Sequence, residues 1–393
     1  MLSVTRLLRK NQNGSPNFGD ALRYNETARR AESGAAAGSG PVVVWNITRA
    51  CNLRCLYCYA TAGNKPASGE LTTREAKELI TDLAAFRVPA LLFSGGEPLL
   101  RPDFFELVAY AAPAGLRPTL STNGTLITPE IARRLKEAGV SYVGVSLDGV
   151  GQNNDALRGR KGAFDAAFQG IRNCLAEGQK VGLRFTITRR NLAELEQIFD
   201  FVATEGIARV CFYHLAYAGR GSALIDQDIT CPQRRQIMDL IIEKTLDFCR
   251  QGKNVEVLTV NNHADGVYLY LRLSRTDRQQ ALNAYRLLLF NGGNRSGIAI
   301  GAIDWEGSVH PDQFTFQHTL GNIRKSKFSE IWQNTGNSLL AGLRNRRQLL
   351  KGRCASCRWL EICNGNSRGR AEAVYGDYWA QDPACYLSDE EIY

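Results

Sequence analysis

A chain of 393 residues is longer than one hydrophobic core usually organises, and with 44% hydrophobic and 22% charged residues it is expected to form one large globular domain and a smaller one. No apolar run is long enough to span a bilayer and the first ten residues lack the apolar core of a secretory signal, which argues against a membrane-spanning or exported protein and for the cytoplasm. The formal net charge of +9, reduced if cysteines ligate as thiolates, favours anionic partners; with no long Lys/Arg run and no basic–aromatic stripe, nucleic acid ranks below a multiply carboxylated small molecule.

In chain order, residues 1–40 read as an extension that begins with a short basic amphipathic stretch, most simply a frayed terminus, and ends in a small-residue linker over 32–40. From Pro41 short apolar runs alternate with amphipathic segments. Strands are expected at 42–47, 90–94, 117–121, 141–147, 180–188 and 208–215. Helices are expected at 72–86, 102–112, 128–138, 163–178 and 191–205, the first opened by a Thr72/Glu75 capping box. Six strands alternating with helices predict an α/β fold, a partial (β/α)6 TIM barrel over 41–221, with functional groups on the loops at the carboxyl ends of the strands. After Gly221 the rhythm breaks: a long helix over 231–251, short strands, an aromatic stretch around Tyr268 and Tyr270, and a hairpin near 298–310 read as a separate C-terminal α+β region, 222–393.

Eleven cysteines in a large chain without an export signal point to metal rather than to a disulfide framework. Seven fall into two groups, Cys51/Cys55/Cys58 and Cys354/Cys357/Cys363/Cys385, while Cys174, Cys211, Cys231 and Cys249 are scattered as core residues are. Three thiols on one loop after a strand can hold three corners of a four-iron cluster and leave one iron open to a further ligand. A zinc knuckle, or three unrelated core cysteines, would use the same residues.

The spacing Cys51-x3-Cys55-x2-Cys58, with Tyr57 before the last cysteine, resembles the signature of the radical S-adenosylmethionine (SAM) enzymes. In that family the open iron chelates SAM, and an electron from the cluster releases a 5'-deoxyadenosyl radical. About one βα unit later Gly95-Gly96-Glu97-Pro98 resembles the segment that holds the SAM amino group, where paired glycines allow close approach and Glu97 could meet an ammonium. Ser121 and Asn123 after the third strand, and Ser146 and Asp148 after the fourth, resemble the segments that bind SAM ribose and carboxylate; by themselves they are also ordinary turn formers. Arg158 in Asn154-Asp155-Ala156-Leu157-Arg158-Gly159, Arg184, and the stretch 213–221 complete the contacts that the resemblance implies, although Asn154 stands where the family usually has His.

The tail cysteines resemble a SPASM or Twitch extension, which implies an auxiliary four-iron cluster beside the SAM-binding one; a four-cysteine zinc site competes for the same ligands. The pattern departs from the full SPASM form, because a fourth cysteine expected soon after Cys363 falls at Ser367, leaving Cys385 to complete the set. Segments at 213–221, 261–266, 309–314 and 358–366 resemble the haem-modifying branch of the family, most closely its haem d1 members. That resemblance implies an enzyme removing propionate side chains from didecarboxysirohaem, an anionic tetrapyrrole, with an electron donor such as flavodoxin or ferredoxin. Alternatives are a relative acting on acetate or propionate groups in the haem pathway, a SPASM-type peptide maturase, or a non-catalytic zinc or iron–sulfur protein. Of the histidines His214, His263, His310 and His318, the second and third rank first as substrate contacts, and Tyr268, Tyr270, Phe314 and Phe316 are candidate walls for a macrocycle.

Overall fold

The computed structural model describes residues 1–9, 18–25 and 40–393, so the expected linker at 32–40 lies outside the described residues except for Gly40. β1 (Leu2–Ser3) is a short edge strand. The six expected strands follow as β2 (Val42–Asn46), β3 (Leu91–Ser94), β4 (Pro118–Thr122), β5 (Val143–Ser146), β6 (Val181–Ile187) and β7 (Arg209–His214), each parallel to the next. Between them run the helices Thr73–Ala85, Phe104–Ala111, Pro129–Glu137, Ala163–Ala176 and Leu195–Thr204. The capping box is made: Thr72 accepts from the Glu75 N–H, and the Glu75 carboxylate accepts from the Thr72 N–H at 2.8 Å.

Register explains which side chains face inward. Phe93 lies opposite Leu120, Leu120 opposite Val143, Val145 opposite Leu183 and Phe185 opposite Phe212, and this wholly buried row belongs to the main hydrophobic core. The alternate row, including Ser146, Arg184, Thr186 and Tyr213, turns to the other face of the curved sheet. One helix that the periodicity did not indicate, Gln152–Arg158, follows β5 and stops at Gly159 in the left-handed conformation (φ 70°).

The sheet does not end near Gly221. β8 (Glu256–Val260) lies parallel to β7, and β9 (Ile300–Ile303) adds in parallel to β2 at the opposite edge. β9 forms the expected hairpin with β10 (Ser308–His310), which in turn pairs with β11 (Gly321–Asn322). The C-terminal region therefore supplies strands to both flanks of the sheet, covering edges that would otherwise expose unpaired backbone groups. The aromatic stretch around Tyr268 is a helix, Ala264–Thr276. No helix among the described residues is long and apolar enough to cross a membrane.

The first residues are not frayed. β1 pairs antiparallel with β8, Leu2 opposite Thr259, and the helix Val4–Leu8 buries Val4, Leu7 and Leu8 in the main core. An amphipathic stretch too short to be stable alone is fixed by tertiary burial. Leu7 is 0% exposed, so Leu7→Ala is expected to destabilise the fold by about 2–5 kcal/mol, read as a lowered midpoint in anaerobic thermal or urea unfolding; an unchanged midpoint would show that this segment contributes nothing to the core.

Candidate active site

The loop 51–58 leaves the carboxyl end of β2 without regular structure and is held by hydrogen bonds from elsewhere in the chain. The N–H groups of Arg54 and Leu56 donate to the carbonyls of Arg158 and Leu157 at 3.2 and 3.0 Å. Arg220 donates from Nε to the Cys55 carbonyl at 2.8 Å and from Nη1 to the Ala62 carbonyl at 2.9 Å. Gly96 permits the next segment to lie directly on the loop: a Cβ there would stand 2.1 Å from the Ala50 carbonyl oxygen. Burial pushes the Cys51 thiol up to about 12, outweighing the Leu53 N–H that reaches its Sγ at 3.4 Å. Burial also pushes Cys55 up, against the field of Arg158, whose Nη1 lies 3.6 Å from its sulfur. Such thiols ionise readily only when a positive metal centre compensates their desolvation.

Cys51, Cys55 and Cys58 line a cavity at the carboxyl ends of the strands. Of the residues expected around SAM, Tyr57, Gly95, Gly96, Ser121, Asn123, Ser146, Arg158 and Arg184 line it with them. Arg184 lies across β5 because Gly144 has no side chain; a Cβ there would be 2.4 Å from the Arg184 Nε.

Glu97, Pro98 and Asp148 are not among the lining residues. The Glu97 carboxylate accepts from Thr122 Oγ1 at 2.8 and 2.9 Å, from the Asn123 N–H at 2.8 Å and from the Leu99 N–H at 3.2 Å. Burial raises it to about 7 in spite of these donors. Its place is behind the cavity wall, bracing Asn123, rather than open to an ammonium. Asp148, wholly buried, pairs with Arg158 and accepts from the Thr186 N–H, which leaves Arg158 facing the sulfur.

The histidine ranking requires correction: neither His263 nor His310 lines the cavity, and His214 does. His310 Nδ1 is 2.8 Å from the His318 carbonyl and its Nε2 is 3.2 Å from Asp304 Oδ2, so both nitrogens are used near the hairpin. His263 is buried beside Asn366, whose Oδ1 accepts from its backbone N–H at 2.7 Å, and burial holds its imidazole well below the ordinary range. His214, at the end of β7, has Nε2 2.9 Å from Asp265 Oδ2, while Asp265 Oδ1 accepts from the Tyr386 hydroxyl at 2.7 Å.

The aromatic walls divide in the same way. Phe314 lines the cavity and packs on Tyr59, with ring centroids 5.4 Å apart. Phe316 packs behind it on Tyr59 and His310. Tyr268 packs on Tyr386, and Tyr270 on Tyr285 and Trp359, away from the cavity. Thr186, Tyr59 and Gln313 also line it, beyond the residues that the motifs indicate. Thr186 was accessible through the two-residue period from Arg184. Gln313 carries no local signal, because a distant loop brings it there.

A second cavity is lined by Cys354, Cys357, Cys363 and Cys385 together with Trp359, Asn366 and Asp382. Cys385 joins the group because its loop is tied across the chain, the Ala384 carbonyl accepting from Asn262 Nδ2 at 3.0 Å. Ser367, at the position expected for a cysteine, instead caps the helix Arg368–Tyr375, and its N–H donates to Asp382 Oδ2 at 2.9 Å. Burial pushes Cys385 up to about 12 and Cys363 well above the ordinary thiol range.

Comparison with known proteins agrees with this geometry. Residues 45–202 match the radical SAM superfamily, and residues 299–358 match the SPASM iron–sulfur cluster-binding domain. The chain is 53% identical over 379 residues, 95% of each chain, to a protein of Methanosarcina barkeri named Fe-coproporphyrin III synthase. It is 42% identical to the pre-heme d1 synthase of Dinoroseobacter shibae, covering 94% of this chain and 91% of that one. Its fold is similar to Streptococcus suis SuiB bound to precursor peptide SuiA, with a TM-score of 0.70 and 16% identity over 96% of this chain and 84% of that one. It is also similar to native anSMEcpe with bound AdoMet and Cp18Cys peptide, with a TM-score of 0.66 and 18% identity over 87% of this chain and 92% of that one. The chain therefore belongs to the radical SAM superfamily, as an enzyme that works with a [4Fe–4S] cluster and SAM and carries a C-terminal SPASM iron–sulfur domain.

Proposed function

We propose that this enzyme removes carboxylate-bearing side chains from an iron tetrapyrrole of the didecarboxysirohaem kind, with acetate loss to Fe-coproporphyrin III as its reaction. The observation that carries this is the 53% identity, over nearly the whole of both chains, to a protein named for that product. Propionate loss on the haem d1 route, which the motifs favoured, becomes the second reading, supported by the 42% relative. The cavity suits either substrate. Tyr59 and Phe314 offer apolar faces to a flat macrocycle, and Arg184 has no carboxylate partner among the described residues with which to satisfy its charge.

Cys51, Cys55 and Cys58 would hold the SAM-binding cluster. Their fit rests on three thiols converging on one cavity, Cys51 and Cys55 buried and Cys58 partly so, with N–H donors from Leu53 and Arg158 aimed at sulfur. When bound, the cluster and SAM supply a 5'-deoxyadenosyl radical that takes hydrogen from a substrate carbon. The chain's own residues then position the reactants. Gly95 and Gly96, packed against the Thr48 and Ala50 carbonyls, would present their backbone to SAM at the cavity wall, Ser121, Asn123 and Ser146 would offer hydrogen-bonding groups to its polar parts, and Arg184 would meet a carboxylate. His214, with Nε2 held on Asp265, is the histidine placed for a substrate contact.

Cys354, Cys357, Cys363 and Cys385 would hold one auxiliary [4Fe–4S] cluster. Four thiols line one cavity, and Cys354 and Cys357 lie inside the segment that matches the SPASM iron–sulfur cluster-binding domain, which supports this reading over zinc. Reconstituted protein should carry about eight irons, and the double variant Cys354→Ser/Cys357→Ser about four, because each set of thiolates holds one four-iron cube and two remaining thiolates would not. About four irons with one zinc would establish the zinc alternative.

Arg158→Met should lower the stability of cluster-free protein by about 3–5 kcal/mol in urea unfolding, since it strands the buried Asp148 carboxylate, and should reduce iron retention by the loop. Unaltered stability and iron content would remove the pair from the site's foundations. Reduced enzyme given didecarboxysirohaem and SAM anaerobically should form 5'-deoxyadenosine and a product that has lost acetate mass. Loss of propionate mass selects the haem d1 reading, and deoxyadenosine formation stimulated by a peptide but by no tetrapyrrole would sink both.

A further inference from the structure

Three fully buried arginines stand in the C-terminal region, and they are balanced differently. Arg370, 1% exposed, is bonded twice to Asp382, at 3.0 and 2.7 Å. Arg346, 1% exposed, is held by Asn294 Oδ1 and the Ser296 carbonyl, both at 2.8 Å, with Asp312 as the acid whose field reaches it. Arg368, 2% exposed, is held only by carbonyls: those of Ala380 and Tyr378 accept from Nη1 at 2.6 and 3.2 Å, and that of Gly365 accepts from Nη2. Its Nε has no partner, and no carboxylate lies within ion-pair distance of it among the described residues.

The acid whose field reaches it, Asp377, is about a third exposed and is itself paired with Lys351 at 2.7 Å, so a buried guanidinium this short of negative charge should find more of it nearby. Gly365, whose carbonyl Arg368 holds, lines the four-cysteine cavity, so the guanidinium stands directly behind its wall. Four thiolates around a four-iron core form a net anion that becomes more negative by one charge on reduction. We propose that Arg368 is the internal counter-ion of the Cys354/Cys357/Cys363/Cys385 site, stabilising the reduced form of the cluster held there and so setting its potential higher than four buried thiolates alone would allow. This rests on the reading of that site as iron–sulfur. Arg353 provides the contrast: it lies by the same thiols but is about a third exposed and paired with Asp389 at 2.9 Å, where solvent and its partner screen it.

The test is an EPR-monitored redox titration of full-length, reconstituted enzyme, following the cluster whose spectrum is insensitive to SAM. Arg368→Gln should move its midpoint to more negative potential, Arg368→Lys should stay near wild type, and Arg353→Gln should shift it less than Arg368→Gln. If Arg368→Gln loses the four tail irons while Arg368→Lys keeps them, the charge requirement is shown through occupancy instead. Equal midpoints in wild type and Arg368→Gln would overturn the proposal. So would equal shifts for Gln and Lys, or loss of the tail irons in both, because Arg368 would then act only by stapling carbonyls. Zinc in the wild-type tail site, found by metal analysis, would overturn the iron–sulfur reading and this inference with it.

Discussion

The cysteine loop makes little regular structure of its own, and buried backbone groups must find partners. Four elements supply them. The carbonyls of 157 and 158 accept from Leu56 and Arg54, the Ala50 and Thr48 carbonyls accept from Glu97 and Gly96, and Arg220 bonds the Cys55 and Ala62 carbonyls. Arg101 closes the segment at its ends, donating to the Ile47 and Leu71 carbonyls at 2.7 Å each. Three sulfurs can face one cavity only because loops after β3, β5 and β7 converge on this backbone. The parallel sheet makes such convergence possible, since every strand delivers its following loop to the same end.

The two cysteine sites are mechanically joined. Asn262 ties the turn after β8 to the Ala384 carbonyl and to Asn366. Asp265 bonds His214 of the cavity on one oxygen and Tyr386, next to Cys385, on the other. Arg370 reaches the Leu215 carbonyl while paired with Asp382, which itself accepts from the Ser367 N–H. The end of β7 and the Cys385 loop are thus set by one buried polar network, whose members hold one another because an unsatisfied buried partner would be costly. Displacement of the tail loop would be felt at His214.

Much of this was legible in the chain. Val42 to His214 alternates strand-type and helix-type segments clearly enough to give the six parallel strands, and Thr72/Glu75 marks a helix start where one occurs. The cysteine spacings and the Gly95-Gly96 pair identify the cavity's rim, because metal ligation and close backbone approach restrict residue type strongly. His263 and His310 misled because a histidine's neighbourhood in sequence does not say which nitrogen is already hydrogen-bonded; His310 spends both on the His318 carbonyl and Asp304. Glu97 had the right position and the wrong direction, its carboxylate turned onto Thr122 and Asn123.

The sequence by itself determined local matters: strand and helix order, the loop that carries three thiols, and the glycines without which the backbone could not pass, all governed by contacts within a few residues or by the chemistry of one side chain. Tertiary structure alone decided the rest. It made Leu2 and Leu8 core residues, added β8 and β9 to the sheet, and brought His214 and Gln313 to the cavity. Each of these depends on partners tens to hundreds of residues away, whose pairing is fixed by packing and by satisfaction of buried polar groups rather than by any local pattern.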